Sequence, residues 1–298
     1  MKRTFLLFIF VIISFNFCQS QEWFKSIDVA VRLAHLQDKM LFVVWEESLD
    51  YSYPLLYNTE KGEVIIVDIS ENTSLDAVIW EYFIPVILPE SNYAELSNNV
   101  EETRGTKYYN KLIDDSIKIM DANKNILNLK VVEEYEQNLS TIIKNYSLRT
   151  TFLKQDLINY SKNENETTSY SLASKYLDFA ILSDKSIRFE IIQLANIYFD
   201  EAIKHLPKSN LNNKMAFLQN CDLLIIKEYL ILNKPKKALR HLKKINITDI
   251  HKRNQSLFSF LNYTAYKLLK DEDNAVLWKS KISLVDLGKA KLIININL

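Results

Sequence analysis

The chain has 298 residues and carries 37 Lys and Arg against 37 Asp and Glu, so its net charge is zero. Its glycines, Gly62, Gly105 and Gly288, lie far apart, which excludes a Walker loop and a dinucleotide-binding fingerprint. The histidines, His35, His205, His241 and His251, fall in no zinc spacing, and no Gly-x-Ser-x-Gly hydrolase elbow is present.

Lys2 and Arg3 precede an apolar run from Phe5 to Phe15, and polar residues Asn16 to Gln21 follow. That run is about half the roughly 20 residues a membrane-spanning helix needs, so residues 1–20 read as a signal peptide and the chain as exported. Cleavage before Gln21 puts the small residues Cys18 and Ser20 at the −3 and −1 positions. The rival reading makes Cys18 the lipidated residue of a lipoprotein, against the bulky Phe15-Asn16-Phe17 ahead of it. No later segment has the length of a membrane span. If Cys18 leaves with the signal, Cys221 remains alone and no intramolecular disulfide can form. It lies in an apolar helical stretch, Phe217 to Ile226, where a buried core thiol is the expected role.

Residues 21–130 read as a mixed α/β domain. Ile27, Ala30, Val31 and Ala34 give a helix over Ile27–Gln37. Leu41–Trp45 reads as a buried strand and Glu63–Ile69 as a second. A helix over Ser74–Tyr82 leads into an extended Phe83–Leu88. Ser116–Leu129 reads as a hairpin turning at Asp121-Ala-Asn-Lys-Asn125. Asp121, Asn123 and Asn125 also match half of a calcium loop, which lacks the glycine at its sixth position (Ile126) and the glutamate at its twelfth (Val132).

Residues 131–298 read as all-α. Lys162–Ser169 looks like a polar linker, and helices are expected over 172–182, 187–206, 215–232, 236–245, 257–269 and 273–285. Tyr229, Asn233 and Ala238 share the spacing of Tyr266, Lys270 and Ala275. This pattern resembles the tetratricopeptide repeat, in which a small Ala lets two helices pack closely, although Asn233 and Lys270 stand where the turn glycine is usual. The resemblance implies an array that binds protein partners.

Within 22–130, the segment Asp28–Lys39 running into Met40-Leu-Phe-Val-Val-Trp45, the strand at Phe83–Leu88 and the hairpin Ser116–Leu127 together resemble the thioredoxin family. Aligned on that family, the two active-site cysteines fall near Asp50 and Tyr53, and the proline of the substrate groove falls at Asp115. A carboxylate or a phenol cannot replace a thiolate in disulfide exchange, so the resemblance implies a redox-inactive copy. The acidic pairs Glu46-Glu47 and Asp114-Asp115 flank the same region, as solvated strand ends or as an acidic rim.

Charge divides with the pattern: residues 21–150 hold 12 Lys and Arg against 22 Asp and Glu, a net of −10, and residues 151–298 hold 23 against 15, a net of +8. Lys236, Lys237, Arg240, Lys243 and Lys244 form the candidate partner-binding face. No aromatic residue is interleaved between Leu232 and Leu257, so a nucleic-acid stacking platform is not expected. Eight Asn-x-Ser/Thr sequons accompany a composition rich in Asn, Lys, Ile and Tyr, and they read as incidental in a bacterial chain.

The expected function is that of an exported, non-enzymatic scaffold, periplasmic or extracellular. It needs no cofactor or metal and engages protein partners rather than nucleic acid or a small-molecule substrate. Two alternatives stay open: an accessory protein of thiol–disulfide oxidoreduction working through Cys221 or a partner's cysteines, and a periplasmic chaperone of the holdase type.

Overall fold

The computed structural model describes residues 22–70, 73–98, 100–130 and 137–298. The expected signal segment with Cys18 lies outside the described residues, as does the sequon at Asn72. Internal contacts divide the chain into two compact units between Arg149 and Thr150.

The N-terminal unit is mixed α/β. Helix α1 (Ile27–Gln37) buries Ile27, Ala30 and Ala34, three residues on one face. It stops where Asp38 turns left-handed at φ 55° and the Lys39 N–H reaches back to the Ala34 carbonyl. Strand β1 (Met40–Trp45) is buried at every residue. It pairs in parallel with β4 (Phe83–Leu88), Met40 opposite Phe83 and Trp45 opposite Leu88. On its other side it pairs antiparallel with β5 (Lys118–Met120), Leu41 opposite Met120. Phe24 forms a parallel bridge to Val86 beyond β4, and Ile126 an antiparallel bridge to Met120 beyond β5.

The expected hairpin over Ser116–Leu129 is therefore only partly a ladder. The Asp121 carboxylate accepts the N–H groups of Asn123 and Asn125 and so closes the turn itself. Beyond the turn, the Asn128 side chain accepts from Ile119 N–H and donates to the Ile117 carbonyl, filling sites a second strand would use.

A second sheet has the order β3-β2-β6, with β2 at Pro54–Asn58, β3 at Val64–Asp68 and β6 at Gln137–Asn138. Gly62, at φ 82°, closes the β2–β3 hairpin. The strand at Gln137 lies beyond residue 130, and the helix Leu139–Tyr146 packs against β2, so residues up to Arg149 group with the α/β part. Between the strands, α2 spans Asp76–Tyr82, and α3 (Glu90–Ser97), α4 (Val100–Arg104) and α5 (Thr106–Ile113) precede β5; α6 is the helix Leu139–Tyr146.

The C-terminal unit is helical: α7 (Lys154–Lys162), α8 (Glu166–Leu182), α9 (Arg188–His205), α10 (Lys214–Ile231), α11 (Pro235–Leu242), α12 (Gln255–Leu268), α13 (Glu272–Lys279) and α14 (Leu284–Asn295). The segment read as a linker holds the start of α8, because Asn165 and Thr168 form a capping box. The helix expected over 273–285 is two helices, since Ser283 accepts from Asp286 N–H and caps α14.

Helices α10–α11 and α12–α13 pack as hairpins. Asn233 (φ 55°) and Lys270 (φ 59°) are left-handed, and in each turn the next N–H bonds five residues back, Lys234 to the Tyr229 carbonyl and Asp271 to that of Tyr266. Both are Schellman closures. Ala238 and Ala275 are fully buried, so small side chains stand where the helices approach. Lys270→Gly is expected to raise stability in urea unfolding by about 0.5–1 kcal/mol, because a side chain at positive φ costs roughly 1–2 kcal/mol, partly offset by the entropy glycine loses. Ala238→Leu should lower it by about 1–3 kcal/mol through overpacking.

Candidate functional site

Two of the three positions singled out by the thioredoxin resemblance, Tyr53 and Asp115, meet beyond the C-terminal end of β1. After Trp45 the chain makes a short 3-10 turn, Glu46–Leu49, and then turns back into β2. Tyr53 is nine-tenths buried. Its hydroxyl donates to the Asp115 carbonyl oxygen at 2.7 Å and accepts from Gln137 Nε2 at 2.5 Å. The Ser48 hydroxyl donates to Asp115 Oδ1 at 3.3 Å. Tyr53 and Asp115 are thus brought together, whereas Asp50 is exposed and stands outside this cluster.

Beneath it lies a residue the sequence did not single out. Lys118, on β5, is fully buried, with Nζ 5.3 Å from the centre of the Trp45 ring. It donates to the Asp114 carbonyl and stands 3.3 Å from Asp114 Oδ1. Trp45 is itself anchored by its Nε1–H on the Leu112 carbonyl at 2.9 Å. Burial pushes the Lys118 amine down to about 8, with Asp114 opposing that shift and Lys111 adding to it. Burial likewise raises the Tyr53 phenol above its ordinary value, so it stays neutral. The signal for Lys118 was a lysine between Ile117 and Ile119 in a strand covered on both faces; alternation alone reads it as solvent-facing.

The carboxylates here are bound locally rather than gathered. Glu46 pairs with Lys25 at 3.0 Å, Glu47 accepts the Glu90 N–H, and Asp114 is taken by Lys118 and by Ser116. Asp68, on β3, accepts from Ser52, Ser70 and the Tyr53 N–H, and these bonds hold it well below the usual carboxylate range. Among the described residues no group of three or more His, Cys, Asp and Glu is placed to hold a metal. The histidines have separate neighbours: His205 meets Glu164 at 3.2 Å, His241 packs on Tyr229 and His251 meets Asn213 at 2.8 Å.

In the C-terminal unit, Lys236, Lys237, Arg240, Lys243 and Lys244 are all exposed on α11 or its end, and none has an ion-pair partner among the described residues. Lys237 lies over the Tyr229 ring at 4.1 Å. A separate cavity of about 410 Å³ is bounded by Tyr170, Asn213, Phe217, Asn220, Arg253 and Asn254. Its walls are cross-linked, Tyr170 donating to Asn220, Asn220 to Asn254, and Asn254 to the Ala216 carbonyl. Cys221 is only 1% exposed, and burial, with Asp222 adding, pushes its thiol up to about 12.

No family model, curated protein or solved structure matches the chain. No helix among the described residues is long and apolar enough to cross a membrane.

Two outcomes follow from these environments. Lys118 is protonated in the unfolded chain up to about pH 10.5 but loses its proton near 8 when folded. The unfolded state therefore binds the extra proton between those values, and stability rises with pH across that window. Against Lys118→Met, the wild type should gain up to about 3 kcal/mol from pH 8 to 10.5 in denaturant titrations. Parallel curves would mean that the amine is solvated. Cys221 should resist iodoacetamide in the native protein and react fully in urea, read by intact mass.

Proposed function

We propose that this chain is an exported, non-enzymatic interaction protein of a bacterial periplasm or cell surface. Its N-terminal unit is a redox-inactive thioredoxin-like scaffold, and its C-terminal unit is a tetratricopeptide-like array that carries the partner contact. The strand order Phe24, β4, β1, β5, Ile126, parallel on one side of β1 and antiparallel on the other, supports the thioredoxin-like reading. So does the cluster of Tyr53, Asp115 and Gln137 at the end of β1, where that family holds its thiols. The two Schellman-closed hairpins with buried Ala238 and Ala275 support the repeat reading.

The observation that carries the functional reading is the row of exposed, unpaired cations on α11. Lys236 and Arg240 lie four residues apart on one face of α11, and Lys243 and Lys244 follow at its end. A solvated cationic stripe with no ion-pair partner among the described residues is a surface that an acidic partner stabilises by complementarity, with an effect mostly on encounter and specificity. The buried, high-pKa Cys221 weighs against the thiol-based alternative.

Affinity capture with the full chain from its native envelope tests this. The wild type should retain a stoichiometric protein. The triple variant Lys236→Glu, Arg240→Glu, Lys243→Glu should lose about ten-fold or more of it, as should the wild type in high salt. Failure to recover a partner in repeated captures, or undiminished capture by the triple variant, would overturn the reading.

A further inference from the structure

Strand β3 is an open edge. Val64, Ile65 and Ile66 are 59%, 39% and 65% exposed, so apolar side chains project on both faces of the strand. Its hydrogen bonds run in one direction only. Ile69 N–H donates to the Tyr53 carbonyl, and the Glu63 carbonyl accepts from Thr59 N–H. With Tyr57 opposite Ile65 and Leu55 opposite Val67, the odd-numbered residues of β3 face β2. Val64, Ile66 and Asp68 therefore direct their N–H and C=O groups away from it. Among the described residues no strand pairs along that side.

Proteins ordinarily blunt such an edge with a lysine, a proline or a bulge placed in the strand. Here the apolar run is bare, and its charges sit at the ends: Glu60, Lys61 and Glu63 before it and Asp68 after it. The Asp68 carboxylate is held charged by the hydroxyls of Ser52 and Ser70 and by the Tyr53 N–H. An excess of negative charge at both ends of the edge disfavours a second, antiparallel copy of itself, because like charges would meet in the symmetric pairing.

We propose that β3 is a docking edge for an extended segment of another protein, with alternating apolar side chains and basic residues at its ends. The segment would add a strand beside β3. Its main chain would bond to the N–H and C=O groups of Val64 and Ile66, its apolar side chains would cover the side chains of Val64 and Ile66 on their shared face, and its cations would meet Glu63 and Asp68. This surface belongs to the N-terminal unit and does not depend on the α11 face.

The test uses the full chain and two end-capped, fluorescein-labelled peptides, Lys-Val-Thr-Val-Thr-Val-Lys and its Glu-flanked counterpart. In fluorescence anisotropy at low salt the Lys-flanked peptide should bind about ten-fold more tightly than the Glu-flanked one. Amide exchange at Val64 and Ile66 should slow when it is added, while Ile65 and Val67, already bonded to β2, stay unchanged. Ile66→Pro removes an N–H that β2 does not use and should weaken binding by about ten-fold. Ile66→Lys, which keeps that N–H and adds repulsion, should also weaken binding and carries the test if the proline variant fails to fold. Equal affinity for both peptides, unchanged exchange at Val64 and Ile66, or full binding by either variant would overturn the proposal. So would slow exchange at these residues without peptide in a chain that sediments as a dimer, since the occupant would then be a second copy.

Discussion

Six consecutive apolar residues, Met40 to Trp45, have no exposed face between them, and the N-terminal unit is arranged around that burial. A strand covered on both sides must satisfy its main chain within the sheet, since an unpaired buried amide costs about as much as a lost hydrogen bond. The parallel ladder to Phe83–Leu88 and the antiparallel ladder to Lys118–Met120 meet that requirement. The faces need close cover as well, and α1 supplies it through Ala30 and Ala34, which are fully buried and small enough to bring a helix near the sheet. Trp45 ends the strand with its ring buried and its N–H tied to Leu112, so one indole fixes the approach of α5 and roofs the Lys118 amine.

Charge inside this protein sits where elements must hold one arrangement. Lys227 on α10 is buried and meets Asp178 on α8 at 2.6 Å, and Lys289 on α14 reaches the second oxygen of the same carboxylate at 2.7 Å. Burial alone would raise Asp178, but the two ammonium groups outweigh it and hold the carboxyl below its ordinary range. Such a triad is costly to desolvate and adds little net stability over apolar packing. What it supplies is geometry, because three helices separated in sequence must align for any of the charges to be satisfied. Glu201 and Tyr160, bonded at 2.7 Å, set the same condition between α7 and α9.

What the sequence made legible was the periodic part. The face of Ile27, Ala30 and Ala34 marks α1, and apolar runs mark β1 and β3, because burial imposes those spacings directly. Strand β2, Pro-Leu-Leu-Tyr-Asn, has neither alternation nor length and becomes a strand because β3 and β6 pair with its two edges. Lys162–Ser169 is polar in composition yet begins a helix, since capping depends on two particular side chains rather than on hydrophobicity. Of the candidate site, Tyr53 and Asp115 were reachable through a family resemblance. Gln137 was not, lying 84 residues from the tyrosine it touches, and neither was Lys118, whose burial depends on which elements cover β5.

Scarcity of glycine leaves its mark on how the elements end. A left-handed residue after a helix lets two further N–H groups reach the last carbonyls, and glycine takes that place at least cost. Here Asp38, Asn233 and Lys270 take it, and Lys124 does the same in the turn after β5. Each costs about 1–2 kcal/mol of conformational strain. The bonds that follow, from Lys39, Lys234 and Asp271 back to Ala34, Tyr229 and Tyr266, satisfy carbonyls that would otherwise be orphaned at a helix end. The α8–α9 hairpin solves the same problem without positive φ: Arg188 donates from Nε to the Ala180 carbonyl and from Nη2 to that of Ser183, both at 3.1 Å. A guanidinium with several fixed donors there does the work of a backbone twist, which is why that turn tolerates ordinary dihedrals while the two hairpins after it do not.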